Sequence, residues 1–257
     1  MATSGTAGLA SQSRYTLRPV ETDNELISVI LPVRNQADHI RRIVDSYRQV
    51  LGRLTNPVEL ILVVNNSQDD SLATCTRIAG EFPMVVVRAI DEPGWGRAVR
   101  AGLKVARGSL LCYTNSARTS AEDLVLILLY AVVNPNVVIK ANRKIRENVT
   151  RRLGSLIYNL ECRALFDLPN WDVNGTPKVF PRKFDGLLAL SRNDDLIDAE
   201  FSIICRRRNY PMLEVPILST RRHGGRSTTN YRSALKMYWG AFRLWESTRS
   251  PLHAGAR

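Results

Sequence analysis

The sequence contains little cysteine and no cysteine pair at metal-binding spacing. Its 257 residues include four cysteines, which lie far apart along the chain: Cys75, Cys112, Cys162 and Cys205. Three of them lie within apolar runs, so we expect buried, reduced thiols rather than disulfides or zinc ligands. This cysteine usage favours a cytoplasmic protein.

Long hydrophobic runs are also missing. The longest apolar run, residues 124–133, is about half of the roughly 20 residues that a membrane-spanning helix requires. The first thirty residues lack the apolar core of a signal peptide. We therefore expect no membrane-spanning segment.

Acidic residues are outnumbered, with 24 Asp and Glu against 36 Lys and Arg, which gives a net charge of +12. Such a charge favours phosphate-rich partners: nucleotides, anionic lipid or nucleic acid. No RNA-binding aromatic motif or recognition helix accompanies it, so nucleic acid is not an expected partner.

Short apolar runs alternate with amphipathic segments through the first half of the chain. Strands are predicted at residues 27–33, 58–64, 84–90, 109–113 and 137–141, and helices at 40–51, 70–81, 95–107 and 121–133. This alternation predicts an α/β fold with a mostly parallel central sheet flanked by helices, and ligands at the carboxyl ends of the strands. Further helices are predicted at 150–166, 194–208 and 231–246, and a strand at 213–219. A Pro- and Gly-bearing stretch, residues 168–181, separates the first of these helices from the later elements.

Composition also suggests a division of the chain. Residues 1–24 are polar and aperiodic, which predicts a disordered leader. We assign residues 25–230 to one catalytic-type domain and residues 231–257 to an amphipathic aromatic helix and tail.

Six segments occur in an order that resembles family-2 glycosyltransferases, especially dolichyl-phosphate mannose synthase-like and other polyprenyl-phosphate glycosyltransferases. They are ISVILPVRN, VELILVVNNSQDDS, PGWGRAVRAGLKVARGSLLCYTNS, DVNGTPKVFPR, DAEFSIICRRRNYPMLEVPI and RRHGGRS, and they cover most of residues 27–227. The resemblance implies a GT-A fold, which binds a nucleotide-sugar as donor substrate.

The donor-binding residues that the resemblance implies follow three strands and open one helix: Pro32, Val33, Asn35, Asn65, Ser67, Gly94, Gly96, Arg97, Asn115 and Ser116. The side chains of Asn65 and Ser67 can hydrogen-bond a base or ribose, whereas Asp69 suits the start of the following helix. The glycines permit close backbone approach, and Arg97 can face the donor phosphate. Each position also has a purely structural interpretation as a cap, loop or packing residue.

The chain departs from the family where a metal is usually bound. Family members carry a D-x-D motif at the position of Thr114–Ala117, an Asp in place of Val64 and a Glu in place of Gln36. Magnesium and manganese prefer anionic oxygen ligands, so no metal ligand is assigned and a divalent metal cofactor is doubtful. Arg97, Arg222 and Arg226 can hold phosphate oxygens in its place.

The loop RRHGGRS resembles the family's phosphate- or acceptor-binding element, with the pattern R-x-x-G-x-S, through Arg222, Gly225 and Ser227. Arg226, within the same loop, is assigned to phosphate or acceptor binding with them. His223 in this loop fits a phosphate contact or a plain loop position better than catalysis. A flexible basic loop is the alternative interpretation of the whole element.

Inverting sugar transfer requires a general base for the acceptor oxygen. The resemblance places Asp172 in this role, with Asp198 and Glu200 as alternatives on a later helix. Each of the three acids could instead be a helix cap or an ion-pair partner.

The predicted last helix has an aromatic face, with Tyr238, Trp239, Phe242 and Trp245, and basic flanks. Such a helix can lie at a membrane surface, which predicts a peripheral location at the inner leaflet with a polyprenyl-phosphate acceptor, or it can pack on the domain or form an oligomer. The leading hypothesis is an active glycosyltransferase in which arginines partly or wholly replace the metal. The alternative is a catalytically inactive glycosyltransferase-like protein with a binding or regulatory role.

Overall fold

The computed structural model describes residues 25–144, 149–218 and 231–249. The described strands are β1 Ile27–Val33, β2 Val58–Asn65, β3 Val85–Ile90, β4 Leu110–Tyr113, β5 Val138–Arg143, β6 Lys178–Pro181 and β7 Met212–Ile217. The described α-helices are α1 Ile40–Leu51, α2 Ser71–Glu81, α3 Trp95–Val105, α4 Ala121–Val133, α5 Val149–Phe166, α6 Ile197–Arg207 and α7 Tyr231–Arg249, with a single 3₁₀ turn at Asp185–Leu187. The expected leader, residues 1–24, lies outside the described residues.

All seven strands form one sheet in the order β3-β2-β1-β4-β6-β5-β7. Six of these strands form parallel pairs: β1 pairs with β2 and β4, β2 pairs with β3, and β5 pairs with β7. Only β6 runs antiparallel, between β4 and β5. The predicted α/β fold with a mostly parallel sheet is therefore confirmed.

Strand β6 is the element that the sequence did not reveal. It has four residues, KVFP, inside the Pro- and Gly-bearing stretch, and all four are buried. A run so short shows no alternation of apolar and polar residues, so the sequence pattern gives no strand signal. Its neighbours β4 and β5 supply the hydrogen bonds that make it a strand.

The strands are apolar because helices cover both faces of the sheet. Every residue of β1 is buried, and α1 turns Ile40, Ile43, Val44, Tyr47 and Leu51 toward the same core. One core cluster joins the sheet to α1, α2 and α4, and a second joins its other face to α3 and α6. A third, smaller cluster links α5, α6 and α7.

No helix within the described ranges is long and apolar enough to cross a membrane. Helix α6 begins at Ile197, three residues after its predicted start, because the preceding residues form a separately held loop. This loop contacts the start of α3 at Gly94, Gly96 and Arg97.

Candidate functional site

The predicted donor-binding residues meet at the carboxyl edge of the sheet. Strands β1 and β2 end in register, with Val33 paired to Val64, and β4 ends beside β1 with Tyr113 paired to Ile30. The loops that follow these three strands are therefore brought together by parallel pairing. Open α/β sheets bind ligands at this edge.

The loops after β1 and β2 are tied to each other by side chains. The Oδ1 atom of Asn35 accepts a hydrogen bond from the amide of Gln68 at 2.8 Å, and the amide of Asn35 donates to Oγ of Ser67 at 3.1 Å. Asn35 adopts a left-handed backbone conformation with φ of 51°. Pro32 and Val33 are buried within β1. Asn35 and Ser67, both predicted to bind the donor, therefore lie together.

Asp69 strengthens the same junction. Its carboxylate accepts hydrogen bonds from the amide of Ala37 at 3.0 Å and from the amide of Ser71, in the first turn of α2, at 3.1 Å. Burial alone would raise the pKa of Asp69, but the hydrogen bonds from Ser71 and Ala37 outweigh it and lower the pKa. The carboxylate thus has a structural function at the start of α2.

Asn65, the last residue of β2, has half of its amide group satisfied. Its Nδ2 donates to the carbonyl oxygen of Gly94 at 3.1 Å. Asn65 is only 5% exposed, and its Oδ1 is buried. This oxygen has no hydrogen-bond partner within the described part of the chain. A buried acceptor left unpaired costs about 1–3 kcal/mol, so a ligand N–H or O–H here would recover that energy.

The glycines that open α3 pack against a protein loop. A Cβ added at Gly94, which has φ of 152°, would lie 2.3 Å from the carbonyl oxygen of Asn193, and one at Gly96 would lie 2.4 Å from that of Arg192. The amide of Arg97 donates to the same Asn193 oxygen at 3.0 Å. The close backbone approach that the glycines permit is therefore made to residues 192–194. Arg97 itself reaches the carboxylate of Glu92, at 2.5 Å.

The segment after β4, where the resemblance puts a metal-binding motif, is closed by its own hydrogen bonds. Ser116 is fully buried and its Oγ donates to Oε1 of Gln36 at 2.9 Å, while Oγ1 of Thr114 lies 2.6 Å from that of Thr119. Oδ1 of Asn115 accepts from the amide of Ala117. These neutral, already paired oxygens do not fit a divalent cation. No group of three or more potential carboxylate, histidine or cysteine ligands occurs elsewhere in the described ranges.

Asp172, the leading candidate for the base, lies in a buried ion pair. It is 2% exposed, and Arg143, at the end of β5, donates from Nε to Oδ2 and from Nη2 to Oδ1, both at 2.8 Å. The neighbouring ion pair of Lys140 with Glu214, at 3.0 Å, holds the same segment, because Glu214 accepts the amide of Asp172 at 3.1 Å. Asp172 therefore lies at the carboxyl edge of the sheet, and the guanidinium of Arg143 neutralises its negative charge.

Asp198 lies in a second buried network. Lys178, the first residue of β6, pairs with its Oδ1, which also accepts from the hydroxyl of Tyr113 at 2.9 Å, and Nε1 of Trp95 donates to its Oδ2 at 3.2 Å. Burial lowers the pKa of Lys178 to about 8, with a further lowering by the charge of Lys140 and an opposing effect of Asp198.

Glu200 supports the loop before α6. Its carboxylate accepts hydrogen bonds from the amides of Ser191 and Arg192, at 3.0 and 2.9 Å, and from the hydroxyl of Ser191. Glu200 therefore fixes the loop that packs against Gly94 and Gly96.

Four charged residues of these networks were not singled out as site residues by sequence reasoning: Lys140, Arg143, Lys178 and Glu214. Lys140 and Lys178 are paired across β5 and β6 and are fully buried. A lysine inside a strand-like apolar segment was the available signal, since buried lysines are rare unless paired. The predicted phosphate-binding loop with Arg222, His223, Gly225, Arg226 and Ser227 lies outside the described residues.

Comparisons with known proteins agree with this architecture. Curated relatives include an undecaprenyl-phosphate 4-deoxy-4-formamido-L-arabinose transferase of Pectobacterium carotovorum, 24% identical over 146 residues that represent 55% of this chain and 44% of the relative. An uncharacterized glycosyltransferase of Bacillus subtilis is 28% identical over 98 residues, 38% of this chain and 24% of the relative. The chain thus spans less than half the length of the curated relatives it matches.

Solved structures show the same fold at low sequence identity. Glucosyl-3-phosphoglycerate synthase of Mycobacterium tuberculosis, crystallised with Mn²⁺, UDP-glucose and phosphoglyceric acid, superposes with a TM-score of 0.67 at 14% identity, over 87% of this chain and 79% of the synthase. A mycobacterial protein superposes with a TM-score of 0.65 at 19% identity, over 87% and 74% of the two chains. The chain therefore has the GT-A fold.

The model of glycosyl transferase family 2 matches residues 28–186, which include the strand ends and loops described above. Together with the sheet order and the converging carboxyl-edge loops, this match establishes that the chain belongs to glycosyl transferase family 2.

Proposed function

We propose that this protein is a glycosyltransferase that moves a sugar from a nucleotide-sugar donor to an acceptor. The observation that carries the proposal is the unpaired, buried Oδ1 of Asn65, at the carboxyl end of β2 beside the loop of Asn35 and Ser67. An N–H or O–H of a base or ribose would satisfy this oxygen. Membership of glycosyl transferase family 2 supports the same activity.

Arginine side chains replace the metal in the proposed mechanism. The segment after β4 offers no carboxylate for Mg²⁺ or Mn²⁺, whereas a solved GT-A neighbour is described with Mn²⁺ and UDP-glucose. Arg97 lies at the start of α3 and is about one-third exposed. The sequence resemblance suggests Arg222 and Arg226 as two further phosphate-binding arginines. Guanidinium groups bind phosphate oxygens through paired hydrogen bonds, which stabilises the charge that develops on the leaving nucleotide.

Asp172 is the proposed base in an inverting transfer. An oxygen of the singly protonated acceptor phosphate attacks the anomeric carbon, the bond between that carbon and the donor pyrophosphate breaks, and the proton of the acceptor phosphate passes to the carboxylate of Asp172. Because Arg143 holds both carboxylate oxygens of Asp172, this step requires Arg143 to move away.

The proposed acceptor is a polyprenyl phosphate at the inner membrane leaflet. Relatives are named as undecaprenyl-phosphate transferases, which supports this acceptor class. Helix α5 exposes an apolar stripe at helical spacing, formed by Leu153, Leu156, Ile157 and Leu160. The partner helix α7, which contacts α5 through Tyr238 and Gly154, exposes Lys236 and Arg243. Apolar and basic groups together suit an anionic bilayer surface.

A binding or regulatory protein without catalysis is the second candidate. The observation that favours it is that all three candidate bases are occupied: Asp172 by Arg143, Asp198 by Lys178, and Glu200 by the loop at Ser191. Such a protein would bind a nucleotide without turning over a nucleotide-sugar.

Isothermal titration calorimetry with nucleoside diphosphates, in chelator and again in Mn²⁺, tests donor binding. We expect a Kd that is the same within about threefold in the two conditions, and about tenfold weaker binding to Asn65→Ala, because loss of one buried ligand hydrogen bond costs about 1–1.5 kcal/mol. Binding that requires Mn²⁺ would refute arginine substitution. No binding of any nucleotide would refute the donor site.

Turnover separates the two candidate functions. A radiolabelled nucleotide-sugar and a polyprenyl phosphate in detergent should give a lipid-linked sugar with the wild type, and Asp172→Asn should abolish it while leaving nucleotide affinity unchanged. Nucleotide binding without transfer to any acceptor would favour the regulatory protein. Full turnover by Asp172→Asn would exclude Asp172 as the base.

A further inference from the structure

A groove of about 410 Å³ lies between the loop before α6 and helix α7. Arg192, Asp194 and Leu196 line one wall, and Lys236, Trp239 and Arg243 line the other. The helix can approach this closely because position 240 is glycine: a Cβ there would lie 2.6 Å from Cδ1 of Leu196. The groove is therefore built by the packing of α7 rather than left as a surface irregularity.

The charges in the groove do not cancel. Three cationic side chains line it against one carboxylate, and that carboxylate, on Asp194, is 3.5 Å from Nη2 of Arg192. Nε of Arg192 is buried without a hydrogen-bond partner among the described residues. Within the same part of the chain, Lys236 and Arg243 form no ion pair with an acid. An anion of about two charges would match this excess.

The rest of the groove is apolar. Trp239 is 58% exposed, and its ring lies under the guanidinium of Arg243, with 5.5 Å from Cζ to the ring centroid. Leu196, in the wall opposite Trp239, is buried. An exposed tryptophan beside cations suits a ligand with an anionic head and a hydrocarbon body.

We propose that this groove binds a phosphate monoester that carries an apolar chain. Arg192, Lys236 and Arg243 hold the phosphate oxygens, and Trp239 and Leu196 cover the first part of the chain. This inference rests on the acceptor half of the proposed function and names a place for that acceptor. The phosphate could also belong to a headgroup of the surrounding membrane, and the experiment separates the two sources.

The groove is connected to the candidate donor site by the main chain. Arg192 and Asp194 line the groove, and the main-chain carbonyl oxygens of residues 192–194 face Gly94, Gly96 and the amide of Arg97. A ligand that draws Arg192 toward α7 would therefore act on the loop that positions the start of α3. Binding in the groove is thus placed to adjust the donor site.

Calorimetry with farnesyl phosphate, farnesol and inorganic phosphate tests the proposal on the full chain. We expect farnesyl phosphate to bind at least about tenfold more tightly than either of the other two, because each supplies only half of the contacts. The double variant Lys236→Gln/Arg243→Gln should lose about tenfold in affinity. The matched control Lys104→Gln/Arg207→Gln, which removes the same charge from exposed positions elsewhere, should bind as the wild type does.

Equal losses in both double variants would show attraction by net charge only and would overturn the site. Equal affinity for farnesol and farnesyl phosphate would overturn phosphate recognition, and equal affinity for inorganic phosphate would overturn the apolar wall. Vesicles containing phosphatidic acid, whose headgroup is a phosphate monoester, that compete fully with farnesyl phosphate would assign the groove to a membrane headgroup rather than the acceptor. Nucleotide titration of the same variants separates the outcomes, since absent nucleotide binding would sink the donor proposal alone.

Discussion

Arg143 and Asp172 form a two-point ion pair that joins the end of β5 to the segment leading into β6. Nε and Nη2 of Arg143 each donate at 2.8 Å, and the main-chain amide of Arg143 donates to Oδ2 of Asp172 at 3.1 Å. The pair fixes the candidate base at the carboxyl edge and at the same time occupies both of its oxygens.

Breaking this pair from the arginine side should strongly destabilise the fold. Arg143→Gln leaves a buried carboxylate without its cation, and we expect the free energy of unfolding to fall by about 3–5 kcal/mol. Arg143→Gln/Asp172→Asn should lose less than the sum of the single variants, as measured by urea denaturation at neutral pH. Additive losses would show that the two side chains are not coupled.

Lys178 should make stability depend on alkaline pH. Its pKa is lowered to about 8 in the folded protein from 10.5, so between these values the unfolded chain binds more protons and stability rises with pH. This contribution of neutral Lys178 to the free energy of unfolding is complete above 10.5, the pKa in the unfolded chain. It is lost as the pH falls through about 8, the pKa in the folded protein.

Lys178→Met removes that titration. Between pH 7.5 and 10.5, the wild type should gain about 3 kcal/mol relative to this variant, since one pKa unit corresponds to about 1.4 kcal/mol. If the free energies of unfolding of the wild type and of Lys178→Met, measured by urea denaturation, changed with pH in parallel, the pKa of Lys178 would not be lowered. Titrations of tyrosines and cysteines that do not contact Lys178 or Asp198 occur in both proteins and cancel in the comparison.

Glycine 96 should not tolerate a side chain, whereas Gly80 should. A Cβ at Gly96 would lie 2.4 and 2.8 Å from the carbonyl oxygens of Arg192 and Asp194, both main-chain atoms, so Gly96→Ala must displace the loop. We expect a loss of about 1–3 kcal/mol, the range for overpacking. Gly80, within α2, has nothing within 4 Å of the added atom, and Gly80→Ala should stabilise by up to about 1 kcal/mol.

Thermal unfolding of the two alanine variants measures this contrast. Equal melting temperatures would show that residues 192–194 do not pack against α3 in solution. A lowered nucleotide affinity in Gly96→Ala, if measured at a temperature where the variant is folded, would further link this loop to the donor site.

The four cysteines should be unreactive in the folded protein. All are buried and free, as the sequence predicted, and burial raises the pKa of Cys75 and of Cys205 to about 12. Thiolate is the reactive species, so Ellman's reagent at pH 8 should modify the native protein only as fast as it unfolds, and all four thiols at once in denaturant. Fast reaction of one thiol in the native protein would contradict its burial.

The sequence predicted most of the fold because its elements follow local rules. Apolar runs such as residues 27–33 and the 3.6-residue spacing of α1 identify themselves within a dozen residues. Parallel order then placed the strand-end residues together, and Asn35 and Ser67 do contact each other. The antiparallel β6 escaped because its only evidence is its pairing with β4 and β5.

The local sequence pattern could not predict which residues pair with the candidate site residues. Asp172 and Arg143 are 29 residues apart, Asp198 and Lys178 are 20 apart, and Gly96 meets a loop almost a hundred residues later. Nothing in the local pattern around an aspartate distinguishes a free base from one member of an ion pair.

The sequence by itself determined the α/β alternation, the buried thiols, the net positive charge and the absence of carboxylates from residues 114–117, because each is a property of composition or short-range order. Only the tertiary structure decided which cation faces which acid, that the amide oxygen of Asn65 stays unpaired, and that α7 closes a cationic groove over Leu196. These depend on distances between segments far apart in the chain, which are set when the sheet and its covering helices pack together.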